Sequence, residues 1–312
     1  METTNLREAY GLTLVELGRI DQRIVVLEAD LGKSTRSCLF KEQFPERYFE
    51  MGIAEQNMTS TAAGLALAGK IPFVNSFAVF AAGRAYDQIR NVVCIPKLPV
   101  RICGSSSGLS DFGDGKTHQA VEDVAIMRAI PNMTVLVPVD AVETHAMLHA
   151  LVQHPGPAYI RVNRNDLPVY TPPDRPYAIG DTQTVREGHD VVVFANGVMV
   201  SKAVTAAETL SAEDIGTKVV NVSTVKPLNV DAILSAVGSV RRGIVVAEEH
   251  TVMGGLAGAI LEALHGQTRL PVEVIGIRDS FGTSARSYEE LLAYFGLTDT
   301  AIASAARGIA AA

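Results

Sequence analysis

Met51-Gly52-Ile53-Ala54-Glu55-Gln56-Asn57 runs into Thr61-Ala62-Ala63-Gly64-Leu65-Ala66-Leu67-Ala68-Gly69 and then Ile71-Pro72-Phe73-Val74. A glycine- and alanine-rich helix start, a small-residue helix and a short apolar strand follow one another. Small residues let a helix lie close on a sheet, and the apolar run suits a strand buried on both faces. The pattern repeats outward. Upstream, residues 7–18 read as a helix and 24–27 as a strand. Downstream, strands are expected at 100–103, 134–137 and 158–161, with helices at 84–93, 122–129 and 141–153. Such alternation predicts an α/β fold with a mostly parallel sheet covered by helices on both faces.

The alternation stops between residues 166 and 180, where Pro168, Pro172, Pro173 and Pro176 crowd together. Proline at that density reads as a stiff linker. Strands at 191–194, 218–222, 244–247 and 272–275 and a helix at 198–210 then restart the pattern. The chain is therefore expected to form two domains of the same class. Residues 1–167 make the first, 168–180 the linker and 181–312 the second.

Composition narrows the function. Of 312 residues 47% are hydrophobic, Trp is absent and aromatics make up 6%, so base-stacking platforms are not expected. A net charge of −7 argues against a general polyanion partner. Cys38, Cys94 and Cys103 show no CxxC spacing and read as free thiols in a reducing compartment. The first residues lack a signal-peptide pattern and no apolar run approaches a membrane span, which predicts a cytoplasmic protein. The sequons at Asn57, Asn132 and Asn221 are then incidental.

Three constellations carry chemistry. A carboxylate at an apolar helix start is costly to bury unless something uses it, so Glu55 stands out. Phe77 and Phe80 at i, i+3 read as core packing when taken alone. Joined to Glu55, they suit a flat heteroaromatic ring that stacks on the phenylalanines and gives a ring nitrogen to the acid. The second constellation is Gly113-Asp114-Gly115-Lys116-Thr117-His118-Gln119, a polar loop whose Asp114 and His118 suit sugar hydroxyls. Its Gly-Asp-Gly also opens the metal–diphosphate motif of thiamine enzymes, but Asn132 falls at the wrong spacing and no metal set is assigned to this chain. The third is basic: Arg7, Arg161 and Arg164, with Ser34 nearby, in positions that suit an anion. In the second domain Gly254, Gly255 and Gly258 read as a close-packing turn rather than a phosphate cradle, and Glu248, Glu249 and His250 lack a fourth metal partner.

Taken together, residues 51–57, 75–80, 114–119, 128–132, 138–141 and 164–168 resemble, in order, the C-terminal half of transketolase. The resemblance covers nearly the whole chain: a pyrimidine-binding domain, then a C-terminal domain. It implies thiamine diphosphate as cofactor, with Glu55 activating it and Phe77 and Phe80 holding the aminopyrimidine. Asp30 would lie near the thiazolium, Asp114 and His118 would contact sugar hydroxyls, and Arg7, Ser34 and Arg164 would hold the phosphate of a sugar phosphate. His118 would also move protons. Two departures are visible: Gly83 stands where the family has a tyrosine, and Ser105-Ser106-Ser107 where it has a histidine. The diphosphate and Mg²⁺ site is expected on a separate N-terminal subunit, in an α2β2 heterotetramer. The implied activity is transfer of a two-carbon ketol unit between sugars. The alternatives are a 1-deoxyxylulose-5-phosphate synthase-like or 2-oxoacid dehydrogenase β-like subunit, and a non-catalytic regulatory homologue.

Overall fold

The computed structural model describes residues 3–311. The first half begins with β1 (Thr3–Asn5), α1 (Leu6–Ile20), β2 (Ile24–Glu28), α2 (Gly32–Thr35) and α3 (Cys38–Gln43). It continues through β3 (Tyr48–Glu50), α4 (Glu55–Leu67) and β4 (Ile71–Phe77). A π-helical turn (Val79–Arg84), α5 (Tyr86–Gln88) and a second π-helical stretch (Ile89–Cys94) follow. Then come β5 (Arg101–Ser105), α6 (Asp123–Ala129), β6 (Thr134–Leu136), α7 (Ala141–Gln153), β7 (Ala158–Arg161) and β8 (Asp166–Pro168). The second half holds β9 (Gln183–Arg186), β10 (Val191–Ala195), α8 (Met199–Ser211), β11 (Thr217–Asn221) and β12 (Thr224–Lys226). It ends with α9 (Val230–Gly238), β13 (Gly243–Thr251), α10 (Leu256–Leu264), β14 (Val272–Ile277), α11 (Tyr288–Tyr294) and α12 (Asp299–Ala311).

Two sheets organise these elements. One runs β12-β6-β7-β5-β4-β2-β3 and is parallel except for β12; the other runs β14-β13-β10-β11-β9 and is parallel except for β9. A short antiparallel pair, β1 with β8, ties the first residues to the start of the proline-rich stretch. The central strands are apolar runs because helices cover both faces: all five residues of β2 and of β10 are buried. Helix starts are satisfied locally. Asn5 accepts from the N–H groups of Arg7 and Glu8, and Asp140 from that of Glu143.

Two features depart from the expectation. The stretch expected as one helix at 84–93 is broken into π-helical and α-helical pieces, a winding that recurs where a side chain must be re-aimed. The second half also does not keep to its own sheet, since β12 adds to the first one beside β6. A buried carboxylate fixes that crossing. Glu143 of α7 accepts from Ser223 Oγ (2.7 Å), Asn221 Nδ2 (3.1 Å) and the Val139 N–H (2.8 Å).

Burial pushes Glu143, Glu28 and Glu249 up to about 7, against opposing hydrogen bonds or, for Glu249, chiefly Arg161. A carboxyl raised above its unfolded value keeps its proton longer in the folded chain. Its contribution is fully present below the unfolded pKa and lost as pH rises through the folded one. The urea midpoint is therefore expected to fall between pH 6 and pH 8. A midpoint that stays level or rises over that window would show that these carboxyls are already ionised in the fold.

Candidate active site

Strands β7, β5, β4 and β2 lie side by side and parallel, so they end at one edge. Leaving that edge, the chain carries Arg164 after β7, Ser105 to His118 after β5, Phe77 and Phe80 at and after β4, and Asp30 after β2. Open parallel sheets place ligands there. Sheet order, rather than sequence distance, gathers the candidates.

Glu55 is the first residue of α4 and 1% exposed. The helix N-terminus favours its negative charge. Its two carboxylate oxygens each accept from Arg84 Nη1 at 2.9 Å, and Ser76 Oγ lies at 3.5 Å. Arg84 sits at the end of the π-helical turn with its guanidinium 4.4 Å above the Phe80 ring. Phe77 and Phe80 are near parallel, 11° apart with centroids separated by 6.3 Å. His118 stands edge-on to both, at 6.2 Å from Phe77 and 5.4 Å from Phe80. Glu55, Phe77, Phe80 and His118 thus form one group. From the sequence, Arg84 was assigned no role in this group. Its guanidinium is a flat, hydrogen-bond-donating unit stacked on Phe80 and bonded to Glu55.

The His118 loop is clamped from the second half of the chain. Gln119 Nε2 donates to the carbonyls of Asp111 (3.0 Å) and Thr283 (2.9 Å). A Cβ at Gly282 would collide with the Gln119 side chain, so a larger residue there would push Gln119 off these bonds. Glu249 Oε1 accepts from the Leu109 N–H at 2.8 Å. His118 Nδ1 lies 3.0 Å from Thr117 Oγ1.

The remaining candidates spread along the edge. Asp114 is exposed. Asp30 is exposed too, in the left-handed region (φ 61°), with its N–H donating to Glu50 Oε1 at 2.8 Å. Asp30 and Ser34 line a cavity of about 390 Å³ that also holds Lys33 and Lys41. Arg7 Nη1 donates to the Ser34 carbonyl at 2.8 Å, so Ser34 meets Arg7 through its backbone. Arg164 departs from the expectation of a free anion contact: its Nη1 is held by Asp111 Oδ2 at 2.6 Å. Asp111 carries no motif, and nothing in the sequence marks it.

Arg161 is corrected outright as a candidate anion ligand. It is 4% exposed, and its Nε donates to Asp123 Oδ2 at 2.9 Å while Nη2 donates to the carbonyls of Ala120 and Glu249. Burial works against its charge, yet Asp123 and Glu249 hold its pKa above the usual value. Asp123 is the true counter-ion, since the Glu249 carboxylate stands 3.9 Å away. The glycine turn before α10 is filled from within: Glu248 accepts from the N–H groups of Leu256 and Ala257, which leaves no phosphate cradle. Asn132, at φ 69°, donates to the Cys94 carbonyl and serves a turn. Elsewhere, among the described residues, Glu16, His145 and His149 come within ligand distance of one another on α1 and α7. They pair as Glu16 with each imidazole.

Residues 2–169 match the family described as "Transketolase, pyrimidine binding domain", and residues 180–302 "Transketolase, C-terminal domain". The chain is 40% identical over 302 residues to a provisionally named transketolase C-terminal section of Methanocaldococcus jannaschii, covering 96% of this chain and 94% of that one. It is also 40% identical over 305 residues to the 6-deoxy-6-sulfo-D-fructose transketolase subunit SqwH of a Clostridium species, covering 97% and 94%. A solved structure described as a split gene transketolase, inactive β4 tetramer, superposes with a TM-score of 0.89 at 42% identity, covering 99% of both chains. The chain belongs to the transketolase family, of which it carries the pyrimidine-binding and C-terminal domains.

Proposed function

We propose that this chain is the smaller subunit of a split transketolase, moving a two-carbon ketol unit from a ketose donor to an aldose acceptor. One observation carries the reading. The buried Glu55 carboxylate, the near-parallel phenylalanines and edge-on His118 converge on the ligand edge of the first sheet. Similarity to proteins named as transketolase subunits, nearly end to end, supports it. Family membership implies dependence on thiamine diphosphate. The residues fit its aminopyrimidine, because the planar Arg84 guanidinium already makes the stacking and hydrogen-bonding contacts such a ring needs.

Phe77 and Phe80 would hold that ring, and Glu55 would hold a proton at its nitrogen. When bound, the cofactor supplies an electron sink for carbon–carbon cleavage. His118 keeps Nε2 free to take or give a substrate hydroxyl proton, since Nδ1 faces Thr117. Asp114, exposed at the same edge, accepts from another hydroxyl, and Asp30 borders the donor side. Arg7, Ser34 and Arg164 form the far end of the substrate slot. The diphosphate and its Mg²⁺ belong, in this reading, to a separate N-terminal subunit in an α2β2 assembly in the cytoplasm. The domains are taken as 1–167 and 181–312, joined by 168–180. The relative described as an inactive β4 tetramer supports dependence on such a partner.

The test is reconstitution with a second polypeptide that carries Gly-Asp-Gly and a correctly spaced Asn. Neither chain alone is expected to transfer ketol units, and the mixture is. Turnover by this chain alone, or none by the mixture with any ketose donor, would reject the reading.

A further inference from the structure

The far end of the slot is not the strongly cationic pocket that two arginines suggest. Asp111 is 4% exposed, so its charge is built in rather than a passing surface contact. Its bond to Arg164 occupies Nη1 of the guanidinium. Arg7 stands close enough to feel both Arg164 and Asp111, and burial with Arg164 pushes it down to about 10. Asp166 also bears on Arg7, but it sits at the rim and is exposed, bonded to Asn5 Nδ2 at 2.8 Å. Arg36 bears on Arg7 as well, but it is paired with Glu8 at 2.9 Å, so the inner charges without an outside counter-ion are Arg7, Arg164 and Asp111.

Uncharged donors lie at the end of β5, next to β7. Arg7 Nε is buried and without a partner among the described residues, as are the hydroxyls of Ser105, Ser106 and Ser107. Those serines are at most 1% exposed. The Ser107 N–H donates to the Val162 carbonyl, and the Ser110 carbonyl accepts from Asn165 Nδ2, which places the serine run beside the chain that carries Arg164. Buried polar atoms without partners are rare in a finished fold, and water, an ion or a ligand usually supplies them.

We propose that Asp111 sets the substrate class of this site: the end of the donor sugar remote from its carbonyl is a monoanion, such as a sulfonate, and not a phosphate dianion. A single negative charge balances Arg7, Arg164 and Asp111. A dianion brings a second charge against the Asp111 carboxylate at low effective dielectric, where repulsion between like charges is strong. The inference rests on reading Arg7 and Arg164 as contacts to the substrate's tail.

The experiment uses two small probes of the same shape that differ by one charge. At pH 8 methanesulfonate carries one negative charge, and methyl phosphate about two because its second pKa is about 6. The purified chain is titrated with each, following the arginine Nε–H resonances. The native chain is expected to bind methanesulfonate more tightly. Asp111→Asn keeps the side-chain shape and is expected to tighten methyl phosphate by about tenfold, reversing the order. Tighter binding of methyl phosphate by the native chain, an unchanged ratio in Asp111→Asn, or no binding by either protein would overturn the proposal. Should Asp111→Asn fail to fold, the ratio for the native chain decides. A reconstituted pair without ketol transfer would reject the enzymatic reading and leave this titration standing.

Discussion

Glu55→Gln is expected to lower kcat of the reconstituted pair by about 10²–10⁴-fold, the span typical of removing a positioned acid or base. The substitution keeps volume and a hydrogen-bonding end but cannot hold or release the proton. Its structural cost is small by comparison. Arg84 loses its counter-charge, but its side chain is 43% exposed, so water takes over part of the solvation. The melting temperature should move by a few degrees at most, and the KM for sugar should change far less than kcat. A variant with kcat within threefold of the native pair would remove Glu55 from the chemistry. Loss of both folding and activity would assign it to packing instead.

Asp123→Ala is the second large effect, and it falls on stability. Arg161 is 4% exposed and Asp123 1%, and the pair sits where α6, β7 and the end of β13 meet. Removing one partner leaves an uncompensated buried charge, which costs about 3–5 kcal/mol. Tyr159 Oη also loses its acceptor, at 2.7 Å in the native chain. The loss should appear as a lower urea midpoint with an unchanged slope. Asp123→Leu with Arg161→Met removes both charges together and should recover much of it. A single variant as stable as the native chain would mean that Glu249 or water replaces Asp123. A double variant no better than the single one would show that the cost comes from packing rather than charge.

Local signals in the sequence were read with close agreement. The expected helix at 141–153 and strand at 158–161 coincide with α7 and β7. Helical period, a capping Asp140 and an apolar run are each complete within a dozen residues. The stretch at 84–93 was read as helical, but its π winding was not, because an apolar helical period does not separate α turns from short π turns. The three-residue β12 was invisible for a related reason: an apolar pattern does not say which sheet will accept a strand.

The candidate site divides in the same way. Motifs brought Glu55, Phe77, Phe80 and His118 to attention, and the parallel strand order brings them together. Arg84 was given no role in the site, Asp111 stands in no motif, and Arg161 looked like the other arginines. Their characters depend on partners 29, 53 and 38 residues away.

The amino-acid order alone determined the alternating elements, the family and the positions of the acid, the aromatic pair and the histidine, because periodicity and motif spacing are properties of neighbours along the chain. Only the folded chain decided which charges meet: that Arg84 lies on Glu55, that Asp111 tempers Arg164 and that Asp123 buries Arg161. Electrostatic pairing depends on distance through space, and sheet order sets those distances.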